Sequence, residues 1–220
     1  MAASTTTNIV YIEGNIGTGK STLLDALKAK YASDPTVGFL DEPTACWDKI
    51  ADRQGMTILE KYYANQTKYA FSFQMMAFIS RISSMRAALK KNYRILISER
   101  SVYTDSEVFA KMLFNDGKIE DVEYAIYMTW IHEFIGDLPA GKFIYVQADP
   151  SVSFQRVGIR NRPGEVIPLT YLENCHSYHD EWLLNRNTSP LLVLNANSDT
   201  QKDANVLDNW LTEIHQFIEK

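Results

Sequence analysis

GNIGTGKS, at residues 14–21, stands between a short apolar run, Ile9–Ile12, and a helical pattern at Thr22–Lys30. This arrangement fits the phosphate-binding loop G-x-x-x-x-G-K-[ST], in which a strand leads into a glycine-rich turn and then a helix. The glycines let backbone N–H groups surround an anion, the lysine supplies positive charge, and the serine hydroxyl can ligate Mg²⁺. We therefore expect a nucleoside triphosphate to bind at Gly14, Asn15, Ile16, Gly17, Thr18, Gly19, Lys20, Ser21 and Thr22.

Four further strand-sized apolar runs follow, and helical patterns separate them. Near-continuous apolar runs of this kind are typical of parallel strands that are covered on both faces. The sequence therefore predicts an α/β fold of three layers, with a five-stranded parallel sheet between helices. The four runs are Val37–Leu40, Arg94–Ile97, Phe143–Val146 and Leu191–Leu194.

Charged residues follow two of the predicted strands. Glu42 comes after the second strand, and Glu99 and Arg100 come after the third. In open α/β sheets, ligands bind at the carboxyl ends of the strands. A carboxylate there can accept the proton of an incoming hydroxyl, and an arginine beside it keeps it ionised. Taken singly, a glutamate after a strand is more often the start of a helix.

The longest helical pattern covers about Thr57 to Lys91. At 100° per residue, Tyr63, Gln74 and Arg81 fall within roughly 20° of one another. One interpretation is a core face that happens to carry polar residues. Burying all three without partners would cost several kcal/mol, so we expect a polar ligand to contact them.

An arginine-rich segment begins at the next predicted helix. Arg156 and Arg160 are spaced i, i+4, and Arg162 precedes Pro163-Gly164. A solvated basic face is the alternative for an isolated pair of arginines. Beside a phosphate loop, we expect residues 156–167 to form a lid that closes over phosphates and excludes water.

Composition narrows the class of protein. The net charge of -5 argues against a nucleic-acid partner, because binding to phosphate backbones needs a positive surface. Two cysteines, Cys46 and Cys175, are too few for a disulfide framework and favour a reducing, cytoplasmic setting. No apolar stretch approaches the roughly 18 residues of a membrane span. We expect a single domain over residues 1–220, with residues 1–7 as a flexible N-terminal arm.

Together these features resemble one family, the deoxyribonucleoside kinases, which includes deoxycytidine, deoxyguanosine, mitochondrial thymidine and insect broad-specificity kinases. The resemblance covers nearly the whole chain. Besides the phosphate loop and the arginine segment, it rests on Glu42-Pro43 with Trp47, Phe71-Ser72-Phe73-Gln74, Glu99-Arg100-Ser101, Ile167-Pro168-Leu169-Thr170-Tyr171-Leu172-Glu173 and Trp182-Leu183-Leu184.

The resemblance implies a role for each residue near the reacting phosphate. Glu42 matches the general base for the 5′-hydroxyl, and Arg100 matches the arginine beside it. Glu99 matches the acidic group that helps Ser21 to hold Mg²⁺. ATP is the implied phosphate donor, with Lys20 at its phosphates, Asp199 near its adenine, and Arg156, Arg160 and Arg162 in the lid.

The resemblance also implies the residues that bind the acceptor nucleoside. Gln74 matches the glutamine that pairs with the edge of the base, and stacking on an aromatic ring is the expected way to hold a nucleobase. Tyr63 matches the tyrosine near the sugar 3′-hydroxyl, and Glu165 matches its acidic partner. The predicted acceptor-site residues are Glu42, Trp47, Tyr63, Phe73, Gln74, Ala77, Arg81, Arg100, Asp105, Phe109 and Glu165.

Substrate preference follows from three of these positions. Arg81, Asp105 and the small Ala77 resemble the residues of kinases for deoxycytidine and the purine deoxynucleosides, whereas thymidine-preferring relatives carry apolar residues at the two charged positions. We therefore favour deoxycytidine or a purine deoxynucleoside. A thymidine-preferring or broad-specificity kinase is the alternative.

Two other functions remain as alternatives. A nucleoside monophosphate kinase shares the phosphate loop and the lid, but it would need a site for the acceptor's phosphate. A regulatory nucleotide-binding module could dispense with Glu42, Gln74 and Arg100. The family also implies a homodimer, and the apolar segment Ile119–Ile135 suits either a subunit contact or a buried core helix.

Overall fold

The computed structural model describes residues 7–162, 164–198 and 204–220. Its centre is a sheet of five parallel strands in the order β2-β3-β1-β4-β5. All five predicted runs lie in these strands except Arg94, which precedes the third, so the predicted α/β fold is confirmed. The strands are β1 (Asn8–Glu13), β2 (Val37–Leu40), β3 (Ile95–Glu99), β4 (Gly141–Gln147) and β5 (Leu191–Asn195).

Helices cover both faces of this sheet. Two π-helical turns, Asp105–Ala110 and Glu181–Arg186, follow the helices α5 and α9. The α-helices are α1 (Lys20–Lys30), α2 (Thr44–Trp47), α3 (Ile58–Ala64), α4 (Gln66–Leu89), α5 (Val102–Thr104), α6 (Lys111–Asn115), α7 (Asp121–Ile135), α8 (Pro150–Arg160), α9 (Leu169–Asp180) and α10 (Ala204–Glu219).

The central strand β1 is buried on both of its faces. Val10 and Ile12 belong to the core on the side of α1 and α10, which also contains Ile214. Ile9 and Tyr11 belong to the core on the side of α4. Successive side chains of a strand point to opposite faces, so a strand covered on both sides must be apolar throughout. This requirement explains the uninterrupted apolar run of the sequence.

The order of the strands places the phosphate loop at the middle of the sheet. From β1 the chain crosses to β2 and returns to β3 on one side of β1, and β4 and β5 lie on its other side. The loop after β1 therefore lies where the direction of winding reverses. In open α/β sheets, a crevice at this position is the usual site of ligand binding.

The long predicted helix from Thr57 to Lys91 is two helices, α3 and α4. They separate at Asn65, whose φ of −154° and ψ of 84° lie outside the helical region. The Asn65 side chain accepts a hydrogen bond from the backbone N–H of Lys68 and so caps α4. The prediction of one continuous face was therefore wrong, because Tyr63 lies on α3 and not on the helix of Gln74 and Arg81.

Two predicted segments coincide only partly with the described residues. Of the predicted N-terminal arm, only Thr7 is described, and Pro163 of the predicted lid lies outside the described residues. Within the described ranges, none of the helices combines the length and the apolar character that crossing a membrane requires.

We predict that Asn65→Ala lowers the free energy of unfolding by about 1 kcal/mol, because the substitution removes the cap that starts α4. Urea unfolding measures this loss. Asn185→Ala is the matched control, since it removes an asparagine whose amide donates to the exposed Glu181 side chain. Equal stability of the Asn65→Ala variant and the parent would show that the cap does not stabilise α4.

Candidate active site

Left-handed glycines give the phosphate loop its shape. Gly14, Gly17 and Gly19 have φ values of 145°, 82° and 97°. A Cβ atom on Gly14 would lie 2.4 Å from the carbonyl oxygen of Val146, and one on Gly17 would lie 2.7 Å from that of Ser153. Apart from its chain neighbours, no described residue comes within 4 Å of the corresponding position on Gly19, so there the backbone conformation favours glycine. The loop is therefore packed tightly against β4 and α8.

Lys20 lies inside this loop. Its Nζ atom donates a hydrogen bond of 2.6 Å to the backbone carbonyl of Asn15. The Asn15 amide in turn donates to the carbonyl of Leu172 over 2.8 Å, which fixes the loop against α9. Burial, and after it the charge of Arg100, lower the pKa of Lys20 to about 7. A bound polyanion would favour the charged form and reverse this shift.

Glu42 lies just beyond the carboxyl end of β2, between two arginines. Its Oε1 atom is 3.1 Å from Nη2 of Arg81 and 3.1 Å from Nε of Arg100. Burial by itself raises the pKa of this carboxyl, but Arg100, Arg81 and Lys20 outweigh it and lower the pKa to about 2. Glu42 is therefore an anion at neutral pH and can only accept hydrogen bonds.

Arg100 joins the end of β3 to the phosphate loop. Its φ of 63° is left-handed, which is uncommon for a residue with a side chain. Its backbone N–H donates to the carbonyl of Ile12 over 2.9 Å, and its Nη1 donates to the carbonyl of Gly14 over 2.8 Å. The guanidinium also lies 5.1 Å from the ring centre of Phe109. These contacts fix the guanidinium at the base of the loop.

Ser21 and Glu99 form a hydroxyl–carboxylate pair beside Lys20. The Ser21 hydroxyl donates to Oε1 of Glu99 over 2.8 Å, and both residues line the central cavity. Hydroxyl and carboxylate oxygens are hard ligands of the kind that Mg²⁺ prefers next to substrate phosphates. This pair of oxygen donors therefore fits the Mg²⁺ ion that the sequence implies.

A buried ion pair between Arg81 and Asp105 forms another wall. Arg81 donates from Nε to Oδ2 of Asp105 over 2.8 Å and from Nη2 to Oδ1 over 3.3 Å. Its Nη1 donates to the backbone carbonyl of Glu99 over 3.1 Å. Burial raises the pKa of Asp105, against the opposing charge of Arg81. Because Arg81 also contacts Glu42, one guanidinium links this wall to the carboxylate.

Gln74 is a buried polar group that lines the same cavity. Its side chain is only 2% exposed, and its amide oxygen has no hydrogen-bond partner among the described residues. A buried unpaired acceptor is unfavourable in an empty site, and a ligand that donates to it removes the penalty. Phe73 stacks on Tyr62 at 4.7 Å and meets Trp47 edge-on at 5.3 Å, so the surrounding wall is aromatic.

The residues of the predicted lid have different contacts. Arg160 donates to the Glu165 carboxylate, and after burial the charge of Glu165 is the largest factor that raises the pKa of Tyr63. Arg156 instead donates to two backbone carbonyls, those of Ala196 at 2.8 Å and Ser198 at 3.0 Å. Arg156 thus ties α8 to the end of β5, whereas Arg160 faces Glu165.

One cavity of about 480 Å³ brings most of the predicted residues together. The phosphate loop from Ile16 to Thr22, Glu42 and Gln74 all line this cavity. Two predicted residues, Gly14 and Asn15, do not line the cavity, and Asp199 lies outside the described residues. The other predicted residues that line the cavity are Trp47, Tyr63, Phe73, Ala77, Arg81, Glu99, Arg100, Asp105, Phe109, Arg156, Arg160, Arg162 and Glu165.

Sequence reasoning missed several residues of the site. Tyr62 and Tyr171 line the cavity and share a hydrogen bond of 2.9 Å between their hydroxyls, and Trp210 of α10 also lines it. No sequence pattern separates these aromatics from core residues. Glu13 was also missed, although an acidic residue at the end of a buried strand, directly before Gly14, was a usable signal.

The comparisons with known proteins agree with this geometry. The family model described as deoxynucleoside kinase matches residues 10–219. The chain is 34% identical to the probable deoxycytidine kinase of Fowlpox virus (strain NVSL), over 95% of this chain and 87% of the relative. It is 33% identical to the deoxycytidine kinase of Homo sapiens, over 86% of this chain and 84% of the relative.

A relative with a different name is similar over the same length. The mitochondrial deoxyguanosine kinase of Xenopus laevis is 28% identical over 94% of this chain and 88% of the relative. The matches extend from the first strand to the last helix, so they include every part of the cavity. The chain belongs to the deoxynucleoside kinase family.

Proposed function

We propose that this cavity transfers the γ-phosphate of ATP to the 5′-hydroxyl of deoxycytidine or a purine deoxynucleoside. The chain is a deoxynucleoside kinase by family, and the proposal concerns its substrate and the roles of its residues. One observation carries it: a phosphate loop, an anionic Glu42 and a buried Gln74 with an unpaired oxygen line the same cavity. Their presence in one cavity suits a triphosphate and a nucleoside that meet at Glu42.

Glu42 orients the 5′-hydroxyl and accepts its proton. The hydroxyl oxygen bonds to the γ-phosphorus as the bond to the β,γ-bridging oxygen breaks, and ADP leaves with that oxygen. A carboxylate with a pKa of about 2 is a weak base, but the negative charge of the triphosphate raises that pKa. Arg100, beside Glu42, stabilises the charge on the transferred group, and Lys20 binds the β- and γ-phosphates.

Ser21 and Glu99 would hold Mg²⁺ beside the triphosphate. Their oxygens are 2.8 Å apart at the start of α1, next to Lys20. When bound there, the ion neutralises charge on the β- and γ-phosphates. The role of these two side chains is to fix the position of the phosphates relative to Glu42.

The base binds between Gln74 and the aromatic side chains. The Gln74 amide can donate and accept at once, which matches the edge of a cytosine or a purine. Phe73, Phe109 and Trp47 supply flat apolar surface for stacking. The relatives named deoxycytidine and deoxyguanosine kinases support this class of base.

The Arg81–Asp105 pair, with the small Ala77, supports the same class of base. The pair is buried on the cavity wall, so it presents polar groups where a thymine methyl group would need apolar ones. Tyr63 and Glu165 bind the sugar 3′-hydroxyl, and their proximity supports this role.

We further propose that residues 1–220 form one domain in which residues 156–167 act as the lid. Arg160 and Arg162 of the lid contact the phosphates of the donor, and Arg156 holds the lid helix against β5. The two cysteines of the chain, an exposed Cys46 and a buried Cys175, are both free thiols, which supports a cytoplasmic role in nucleotide salvage.

A homodimer through α7 is part of the proposal. Val122, Ile126 and Trp130 recur every fourth residue along α7 and are 70%, 43% and 45% exposed. They form an apolar stripe on a different face of the helix from the buried Tyr127 and Ile131. An exposed apolar stripe of this kind is typical of a subunit contact, and a two-fold axis would pair it with itself.

We predict that Glu42→Gln lowers kcat at least about 100-fold, because the amide cannot take the proton. The dissociation constant of the deoxynucleoside should change far less, since the base acts mainly in the transition state. Transfer kinetics and titration calorimetry measure the two effects. Asp41→Asn, which changes the neighbouring exposed carboxylate, is the control, and an unchanged kcat in Glu42→Gln would reject the proposed base.

We predict that ATP binding with Mg²⁺ takes up protons at about pH 8. The pKa of Lys20 is about 7 in the free protein, so the amine is mostly neutral above that pH and the triphosphate recharges it. Calorimetry in two buffers of different ionisation enthalpy measures the uptake. Lys20→Arg should bind without it, because arginine is always charged. Heats that do not depend on the buffer would contradict the assignment.

We predict that the parent protein sediments at twice the 25.1 kDa mass of the chain. Ile126→Glu should shift the protein to the single-chain mass, because it places a charge in the apolar stripe. Leu184→Glu, at a residue of 45% exposure outside the stripe, is the control. Sedimentation of the parent at the mass of one chain would refute the homodimer.

A further inference from the structure

Glu13 is a buried carboxylate to which the proposed mechanism gives no role. It ends β1, directly before the first glycine of the phosphate loop, and its exposure is 0%. Its Oε1 accepts a hydrogen bond of 2.9 Å from the backbone N–H of Ser101, and its Oε2 accepts one from the Thr104 hydroxyl. One side chain therefore ties the base of the phosphate loop to the segment that follows β3.

The peptide that Glu13 holds carries the strained residue of the site. Arg100 is left-handed at φ 63°, and Ser101 is the next residue. The Arg100 N–H donates to the carbonyl of Ile12, and its own carbonyl accepts from the Ser98 hydroxyl over 2.8 Å. A strained residue of this kind persists only where its surroundings hold it. The Glu13 carboxylate supplies the acceptor on the far side of the turn.

The second hydrogen bond of Glu13, from Thr104, affects the position of Arg81 through Asp105. Thr104 immediately precedes Asp105, and the Asp105 carboxylate orients Arg81. Arg81 and Arg100 are the two guanidiniums that contact Glu42. Both cations beside Glu42 therefore depend on a segment that Glu13 holds at two points.

Packing alone does not account for a carboxylate at this position. A buried charge is unfavourable unless hydrogen bonds and opposite charges compensate for it, and an apolar side chain would fill the space at lower cost. Burial raises the pKa of Glu13, whereas the hydrogen bonds from Ser101 and Thr104 and the charges of Arg100 and Arg81 favour its ionised form. The Glu13 carboxylate therefore serves the turn that carries Arg100, because it accepts the hydrogen bond of the next residue, Ser101.

We propose that Glu13 is a positioning residue for phosphoryl transfer. By holding Ser101 and Thr104, it keeps Arg100 in its left-handed conformation, with the guanidinium against Glu42 and the carbonyl of Gly14. Glu13 touches no substrate and acts through Arg100. The inference rests on the proposed function of Arg100 and Glu42.

A double-mutant cycle tests the inference, with kcat measured per folded enzyme for Glu13→Ala, Arg100→Ala and the double variant. Glu13→Ala should lower kcat about 100-fold, because a misplaced guanidinium loses its alignment with the phosphate. The KM for ATP should stay within about threefold of the parent value. The double variant should be within about threefold of Arg100→Ala, since both changes remove the same interaction. Losses that multiply would show that Glu13 acts independently of Arg100, and a parental kcat in Glu13→Ala would show a purely structural role; either result overturns the inference.

Milder variants decide the question if Glu13→Ala does not fold. Glu13→Gln keeps an acceptor for the Ser101 N–H and should recover most of the lost kcat. Thr104→Val keeps the side-chain shape, removes one donor and should lower kcat about tenfold. A parental kcat in Thr104→Val, or no recovery in Glu13→Gln, overturns the inference.

One variant is the control for Glu13, and another tests the proposed function of Arg100 on which the inference rests. Asp34 also accepts one backbone N–H and one hydroxyl, both from Thr36, and it pairs with Arg94, but it precedes β2 at the amino ends of the strands, away from the cavity. Asp34→Asn should therefore leave kcat unchanged, and a loss as large as that of Glu13→Ala would overturn the inference. Full kcat in Arg100→Ala would instead refute the proposed function of Arg100, and the coupling would fail with it.

Discussion

The site depends on one partly buried carboxylate, that of Glu42, held as an anion between two guanidiniums. Glu42 contacts Arg81 and Arg100 at 3.1 Å each, and their charges outweigh the burial that would otherwise protonate it. The two arginines come from separate elements, α4 and the end of β3, so the contact exists only when the helix is docked on the sheet. A buried ion cluster is weak evidence for stability, because its desolvation is costly. Its value here is geometric: it fixes a proton acceptor opposite the phosphate loop.

Donor binding should act on both ends of this charge network. In the free protein, the pKa of Lys20 lies near neutrality, whereas that of Glu42 is far below it. A triphosphate brings negative charge between them, which favours the charged amine and makes the carboxylate more basic. Both pKa shifts favour the reaction, because the charged Lys20 amine binds the phosphates and the more basic Glu42 carboxylate accepts the proton more readily. The left-handed Arg100 lies at the junction, with its guanidinium on Glu42 and on the loop carbonyl of Gly14.

The sequence was sufficient for the sheet and for most of the cavity, for identifiable reasons. Buried parallel strands are apolar on both faces, so five short runs were visible without any structure. The phosphate loop has a spacing that follows from its chemistry, and Gly14 and Gly17 are positions where a Cβ would collide with backbone. The break at Asn65 was missed because a helix pattern continues through it, and only the backbone angles reveal that the chain turns there. Tyr62 and Trp210 were missed because their roles arise from tertiary contacts that no local pattern encodes, whereas the position of Glu13, directly before Gly14, was a usable signal.

The ionisation of Glu42 is the most direct test of the account. The side-chain carboxyl carbon of Glu42 can be followed by NMR in the ¹³C-labelled protein and assigned from the signal lost in Glu42→Gln. With a pKa of about 2, the carboxylate should stay ionised, and its chemical shift should stay constant, from about pH 8 down to about pH 4. A titration midpoint at or above the ordinary glutamate value would contradict the account, because Arg81 and Arg100 would then not hold Glu42 as the anion on which the proposed transfer depends.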